Sequence, residues 1–166
     1  MLSAIRSLWS PPAIRLRDGG PEDRLALADL WLASVEATHD FLTPGEIAEL
    51  LPLVRDAYLP GAVLRVAVDG ADQPLAFLGR EGADVEALYV APAAFGHGLG
   101  RTLLLDAAEA ITPLRIDVNA ENLKARAFYA RMGFHETGRT ALDHDGRTFP
   151  LIHLEGDPRT AAPGKP

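Results

Sequence analysis

The stretch Val85-Glu86-Ala87-Leu88-Tyr89-Val90-Ala91-Pro92-Ala93-Ala94-Phe95-Gly96-His97-Gly98-Leu99-Gly100-Arg101 runs from an apolar strand pattern into three alternating glycines. Behind it Leu103, Leu104, Ala107, Ala108 and Ile111 recur at helical spacing, and Leu114 to Val118 is strand-like again. The order is therefore strand, glycine turn, helix, strand. Glycine at such a turn permits positive φ and lets a ligand approach without meeting a Cβ. The successive N–H groups then converge on an anion at the helix start. A helix dipole is worth about 0.3–1 kcal/mol, whereas each hydrogen bond to a charged group is worth roughly 1.5–3 kcal/mol. The converging amides dominate. The same glycines would also serve a purely structural tight turn. A Walker A loop needs Gly-Lys-Ser or Gly-Lys-Thr, which is absent, and the dinucleotide fingerprint fits poorly.

Upstream, Ile14 to Arg17 alternates as a half-buried strand and is broken by Asp18-Gly19-Gly20-Pro21. A helix follows, with Leu25, Leu27, Leu30, Trp31 and Val35 on its apolar stripe, stopping near Thr38-His39-Asp40. Thr43 with Glu46 has capping-box spacing for a second helix over Pro44 to Tyr58. Val63 to Val68 and Pro74 to Leu78 flank a turn at Asp69-Gly70-Ala71-Asp72, and Val85 to Val90 is a third strand. Downstream, Ala120 to Met132 reads as a helix. Phe134 to Thr140 and Thr148 to Leu154 read as a hairpin around Asp143-His144-Asp145-Gly146.

Strands first paired antiparallel and then joined by helical crossovers predict an α+β fold, an α/β sandwich. It has a mixed, mostly antiparallel twisted sheet of about six to seven strands flanked by about four helices. One domain is expected over residues 13–155, with an N-terminal extension at 1–12 and a disordered, Pro- and Gly-rich tail at 156–166.

The 166 residues carry a formal charge of −7, which argues against tracking a nucleic acid. No apolar run approaches the roughly 20 residues that span a bilayer. A cytoplasmic protein with no membrane or nucleic-acid partner is expected, as monomer or homodimer. There is no cysteine, so disulfides and thiol nucleophiles are excluded. His135, His144 and His153 lack metal-ligand spacing, and no metal is expected.

The segment from Val85 through Ala91-Pro92 to Gly96-His97-Gly98-Leu99-Gly100-Arg101 resembles the pyrophosphate motif of the GNAT superfamily of N-acetyltransferases. Phe95 stands where that family prefers Arg or Gln. Ser34-Val35-Glu36-Ala37-Thr38-His39-Asp40-Phe41-Leu42, Val118-Asn119-Ala120-Glu121-Asn122, Tyr129-Ala130-Arg131-Met132-Gly133-Phe134 and Thr137-Gly138-Arg139 resemble the YjaB-like branch of that superfamily. The resemblance covers most of Ile14 to Leu154.

It implies an acetyltransferase that uses acetyl-CoA as co-substrate and an amine of a small molecule or peptide as acceptor, with direct attack. A catalytically weak acetyl-CoA-binding regulatory module of the same fold is the alternative. The strand Leu88-Tyr89-Val90 would splay from its neighbour and bond the pantetheine arm, while the amides of Gly96, His97, Gly98, Leu99, Gly100 and Arg101 would hold the pyrophosphate. Arg101 is equally readable as an exposed first-turn residue. Tyr129 would be the general acid, its phenol protonated at neutral pH. Asn122, two turns earlier and roughly 10 Å up the same helix face, would touch the coenzyme, and so would Asn119, for which an N-cap is the competing reading. For the base two residues remain open: Glu86, with Asp84 pointing the same way by strand parity, and His39, whose imidazole suits neutral pH. His39 and Phe41 would otherwise shape the acceptor site.

Overall fold

The computed structural model describes residues 13–163; the N-terminal extension at 1–12 lies outside them. Among the described residues the elements run β1 (Arg15–Asp18), α1 (Arg24–Thr38), α2 (Pro44–Pro52), β2 (Val63–Val68), β3 (Pro74–Glu81), β4 (Asp84–Val90) and α3 (Leu99–Ala110). They continue as β5 (Leu114–Asn119), α4 (Leu123–Arg131), β6 (Phe134–Thr140) and β7 (Leu151–Gly156). One sheet has the order β1-β2-β3-β4-β5-β7-β6. Every neighbouring pair is antiparallel except β4 and β5, which α3 joins as a crossover. This is the mixed sheet the sequence pattern implies.

The sheet separates two cores because strand side chains alternate between its faces. Val66, Val68, Phe77 and Ala87 pack with Leu27, Trp31 and Val35 of α1 and Ile47 of α2. Ala67, Leu78, Val85, Ile116 and Ile152 pack on the other face with Leu103 and Leu104 of α3, Tyr129 of α4 and Met132 directly after it.

Two segments differ from the sequence reading. The second helix is α-helical only through Pro52; Leu53–Tyr58 is a π-helical turn in which the Leu59 N–H donates to the Val54 carbonyl at 2.9 Å. Pro52 has no N–H to give and its ring crowds the preceding turn, so the wider turn follows it directly. Its start is as expected, with the Thr43 hydroxyl accepting from the Glu46 N–H and the Glu46 carboxylate accepting from the Thr43 N–H at 2.7 Å.

The second difference is the tail. The tail at 156–166 is expected to be disordered, yet among its described residues, 156–163, β7 runs to Gly156, Pro158–Thr160 forms a 3-10 turn, and Pro158 is fully buried where that turn packs on α3. The Asp157 carboxylate accepts from the Arg159 N–H at 3.0 Å. Gly156 lies so close to Gly133 that a Cβ would come 2.5 Å from the Gly133 carbonyl oxygen. Glycine here serves close packing, whereas composition alone reads as flexibility.

The β1–α1 connection is fixed by Asp23, whose carboxylate accepts two hydrogen bonds from Arg17, both at 2.8 Å, and one from the Gly20 N–H at 2.8 Å. Arg17's hydrogen bonds hold the Asp23 carboxyl below its usual value against the opposing effect of burial. A depressed carboxyl stabilises the fold above the ordinary carboxylate range, and that contribution is lost as pH falls below it. Asp23→Asn is therefore expected to cost about 2–3 kcal/mol at pH 7, with the difference from the parent narrowing as pH falls below about 4. Urea melts across pH 3–7 check this.

Candidate active site

β4 and β5 pair over two rungs, Asp84 with Arg115 and Val85 with Ile116, and then part. The Asp84–Arg115 ion pair at 2.6 Å clips the joined end, and Arg115 lowers the pKa of Asp84. On its other side β4 slips register against β3: Arg80 faces Val85 and Gly79 faces Ala87, leaving Glu86 without an opposite residue. This β-bulge reverses the side-chain alternation. Val85 packs in the α3–α4 core and Ala87 in the α1–α2 core. Without the bulge, residues two apart would share a face.

A cavity of about 810 Å³ opens at the parting and is lined by Glu86, Tyr89, Trp31, His39, Phe41 and Tyr58, among others. Asp84 and Glu86 both line it, although Asp84 is committed to Arg115. His39 donates from Nδ1 to the Thr38 hydroxyl at 2.8 Å, since that hydroxyl's own hydrogen goes to the Ser34 carbonyl. Nε2 is then left with its lone pair. Burial lowers the His39 pKa, with Asp40 opposing, so the neutral ring dominates at pH 7. Phe41 stacks near it with ring centroids 5.1 Å apart, and Tyr89 lies 6.4 Å away.

The glycine turn lies at the other end of the parting. Gly96 and Gly98 have φ of +78° and +76°, and a Cβ on either would meet open space. Gly100 has another role: a Cβ there would lie 3.1 Å from the Phe128 ring. Among the described residues the N–H groups of Gly96, His97, Gly98, Leu99, Gly100 and Arg101 make no backbone hydrogen bond, the first closed turn being Thr102 N–H to the Gly98 carbonyl. His97 points outward, Leu99 is buried, and Phe95 is 41% exposed. Arg101 turns its guanidinium toward Met132, 3.8 Å from Sδ.

Tyr129 is buried beside Phe128 and Phe134, with centroids 5.2 and 5.6 Å away. Burial raises its pKa, and Tyr89 is close enough to push in the same direction. Tyr129 belongs to the core on one face of the sheet and Tyr89 packs against the core on the other. Leu88 and Val90 pack toward the α3–α4 core, Tyr89 toward α1. Capping falls differently from the sequence reading: Asn122 caps α4 by accepting from the Ala125 N–H at 3.1 Å, while Asn119 accepts from the Glu121 N–H at 2.8 Å and lines the cavity.

The sequence reading missed the far wall. The connection 141–150 contributes Asp143, His144, Asp145, Arg147 and Phe149 to the cavity. Asp117 on β5 holds it through one carboxylate oxygen, 2.7 Å from His144 Nε2, while its other oxygen lies 2.5 Å from Nδ1 of His153 on β7. A connection far longer than the usual two to about five residues of a hairpin was the available signal. Among the described residues no group of three or more His, Asp or Glu is gathered as a metal ion would need.

The acetyltransferase (GNAT) domain family matches residues 60–136. Peptidyl-lysine N-acetyltransferase YjaB of Salmonella typhimurium and of Escherichia coli is 40% identical over 141 residues, covering 85% of this chain and 97% and 95% of those proteins. The solution structure of apo YjaB from Escherichia coli superposes with a TM-score of 0.82 at 38% identity, covering 90% of this chain and 99% of that one. At 20% identity and a TM-score of 0.71, the PaiA N-acetyltransferase of Thermoplasma acidophilum in complex with coenzyme A shares the fold over 87% of this chain and 99% of its own.

Two glycine substitutions separate ligand approach from packing. Gly98→Val is expected to weaken acetyl-CoA binding at least about tenfold, one lost charged hydrogen bond's worth. Gly100→Val is expected to lower Tm through Phe128 instead. Calorimetric titration and thermal melts of both variants check the division.

Proposed function

The chain belongs to the GNAT superfamily of N-acetyltransferases, and from that membership we propose that it acetylates the ε-amine of peptidyl lysine, with acetyl-CoA as donor. The observation that carries this reading is the parting of β4 from β5, with unpaired amides at one end and a carboxylate-bearing cavity at the other. Anion and cation thus have separate entrances. The N–H groups of Gly96 to Arg101 hold the pyrophosphate, and freed backbone groups at Leu88, Tyr89 and Val90 bond the pantetheine arm as an added strand would. The free carboxamide hydrogens of Asn122, with Asn119, assist. Turning Arg101 toward Met132 and replacing the family's Arg or Gln by Phe95 leaves the anion's affinity to the amides.

The acceptor assignment is supported by the names of the relatives and by the cavity's chemistry. Trp31, Phe41, Tyr89 and Phe149 suit the methylenes of a lysine, while Glu86 and Asp145 favour its ammonium. Lysine must lose a proton before it can attack. Glu86 accepts that proton, directly or through a water, with His39 Nε2 as a second acceptor site on the opposite wall. The amine nitrogen then bonds to the thioester carbon, the carbon–sulfur bond breaks, and the departing thiolate takes the Tyr129 proton. Burial keeps that phenol protonated across the neutral range, the form a donor requires.

Tyr129→Phe is expected to lower kcat roughly a hundredfold and to leave the acetyl-CoA affinity unchanged, because a donor used in the transition state adds little to ground-state binding. Thiol release with lysine peptides, small amines and acetyl-CoA measures the first, and calorimetry the second. Turnover of small amines alone overturns the peptidyl-lysine acceptor; silence throughout alongside tight coenzyme binding favours a regulatory module.

A further inference from the structure

Tyr58 ends the π-helical turn, and its ring lines the cavity. Its hydroxyl oxygen is sealed from solvent and has no hydrogen-bond partner among the described residues. A buried hydroxyl without a partner is a cost to the fold. A second cost lies beneath it: β3 carries Gly79 in its interior, and a Cβ there would sit 2.0 Å from the Tyr58 hydroxyl. Glycine weakens a strand interior and often marks close approach. Gly79 pairs with Ala87, immediately beyond the Glu86 bulge. Three local irregularities thus converge on one hydroxyl: a π turn that carries it, a glycine that makes room for it, and a bulge that brings Glu86 beside it. Glu86 is close enough to help burial raise the Tyr58 pKa, yet the two do not meet hydrogen-bond geometry.

We infer that Tyr58 is a positioning residue for the acetyl transfer, its hydroxyl donating to one carboxylate oxygen of Glu86 when the acceptor amine engages the other. The inference rests on Glu86 as the base. Its chemistry balances simply: the amine proton passes to Glu86, and Tyr58 keeps its own proton and supplies only a hydrogen bond. Catalytic hydrogen bonds that are long before the acceptor binds commonly tighten in the complex. π turns occur disproportionately at functional sites for the same reason, since they re-aim one side chain without breaking the helix.

The test is a double-mutant cycle of Tyr58→Phe and Glu86→Gln in the full chain, read by single-turnover and steady-state thiol release from acetyl-CoA with a lysine peptide. Tyr58→Phe keeps the ring that covers Gly79 and removes an unsatisfied hydroxyl, so Tm is expected to hold or rise. The expected kinetic result is a kcat loss of roughly 10- to 100-fold, a charged hydrogen bond's worth, with KM for acetyl-CoA unchanged. In the Glu86→Gln background the same substitution is expected to cost less than about twofold, because coupled groups fail to add. If Glu86→Gln is slow and Tyr58→Phe is not, or if the two losses multiply, the inference falls while the base assignment stands. Parental turnover in Glu86→Gln overturns the base assignment and the inference together. A Tyr58→Phe loss accompanied by a lower Tm assigns the hydroxyl to the fold and overturns the inference.

Discussion

Two rungs of parallel pairing between β4 and β5 hold the halves of this molecule together, and the site exists because there is no third. A full parallel ladder would satisfy the backbone groups of Leu88 to Val90 and close the cavity. Parting costs the sheet its central hydrogen bonds, so something must hold the joined end. The Asp84–Arg115 pair and the Arg115 N–H bond to the Ala83 carbonyl at 2.9 Å lie at that end. The exposed ion pair contributes little by itself. The cores on both faces do more, because Val85 and Ile116 are buried under α3 and α4 while Ala87 and Phe77 are buried under α1. Each strand is anchored by its own layer, and the gap between them is what remains.

The bulge at Glu86 makes this double anchoring possible. An unbroken β4 would commit Val85, Ala87 and Tyr89 to one face. The extra residue lets Val85 face one core and Ala87 the other, and it puts a carboxylate at the point where the strands part. The same device serves packing and chemistry, which is why bulges collect beside active sites. Electrostatics then follows topology. Among the described residues, N–H groups without backbone partners cluster at the start of α3 and carboxylates line the cavity, so the two signs of charge are kept apart.

Most elements were legible from sequence because they rest on local periodicity. The α3 stripe of Leu103, Leu104, Ala107 and Ala108, the Thr43–Glu46 capping box and the glycine turn are all one-segment signals. The glycines were legible as a group but not individually, since only coordinates separate positive φ at Gly96 and Gly98 from the packing need at Gly100. What escaped depends on partners distant in sequence. The bulge is a register relation between β3 and β4, and the ordered tail depends on Gly156 meeting Gly133. The far wall of the cavity is tied to the sheet where Asp117 reaches His144. Tyr58 read as one more apolar helix position, because the turn that re-aims it follows from Pro52 six residues earlier in the chain.

These two kinds of feature differ in how easily they can change. The glycine turn is built from backbone groups and a close helix contact, so a Cβ added at Gly96, Gly98 or Gly100 meets strain or Phe128. One wall of the cavity is the 141–150 connection, whose hold on the sheet includes a side-chain bond from His144 to Asp117. That bond is largely solvent-exposed, and exposed pairs contribute at most about 1 kcal/mol. The connection's backbone bond, from the Ala120 N–H to the Pro150 carbonyl at 2.8 Å, lies away from the two rungs, the bulge and the glycine turn. The glycine turn is therefore fixed by the sheet and its helix, whereas Arg147 and Phe149, which line the cavity, stand on a connection outside both. The division explains why a fold so readily recognised from its glycine turn says so little, in that same turn, about what it acetylates.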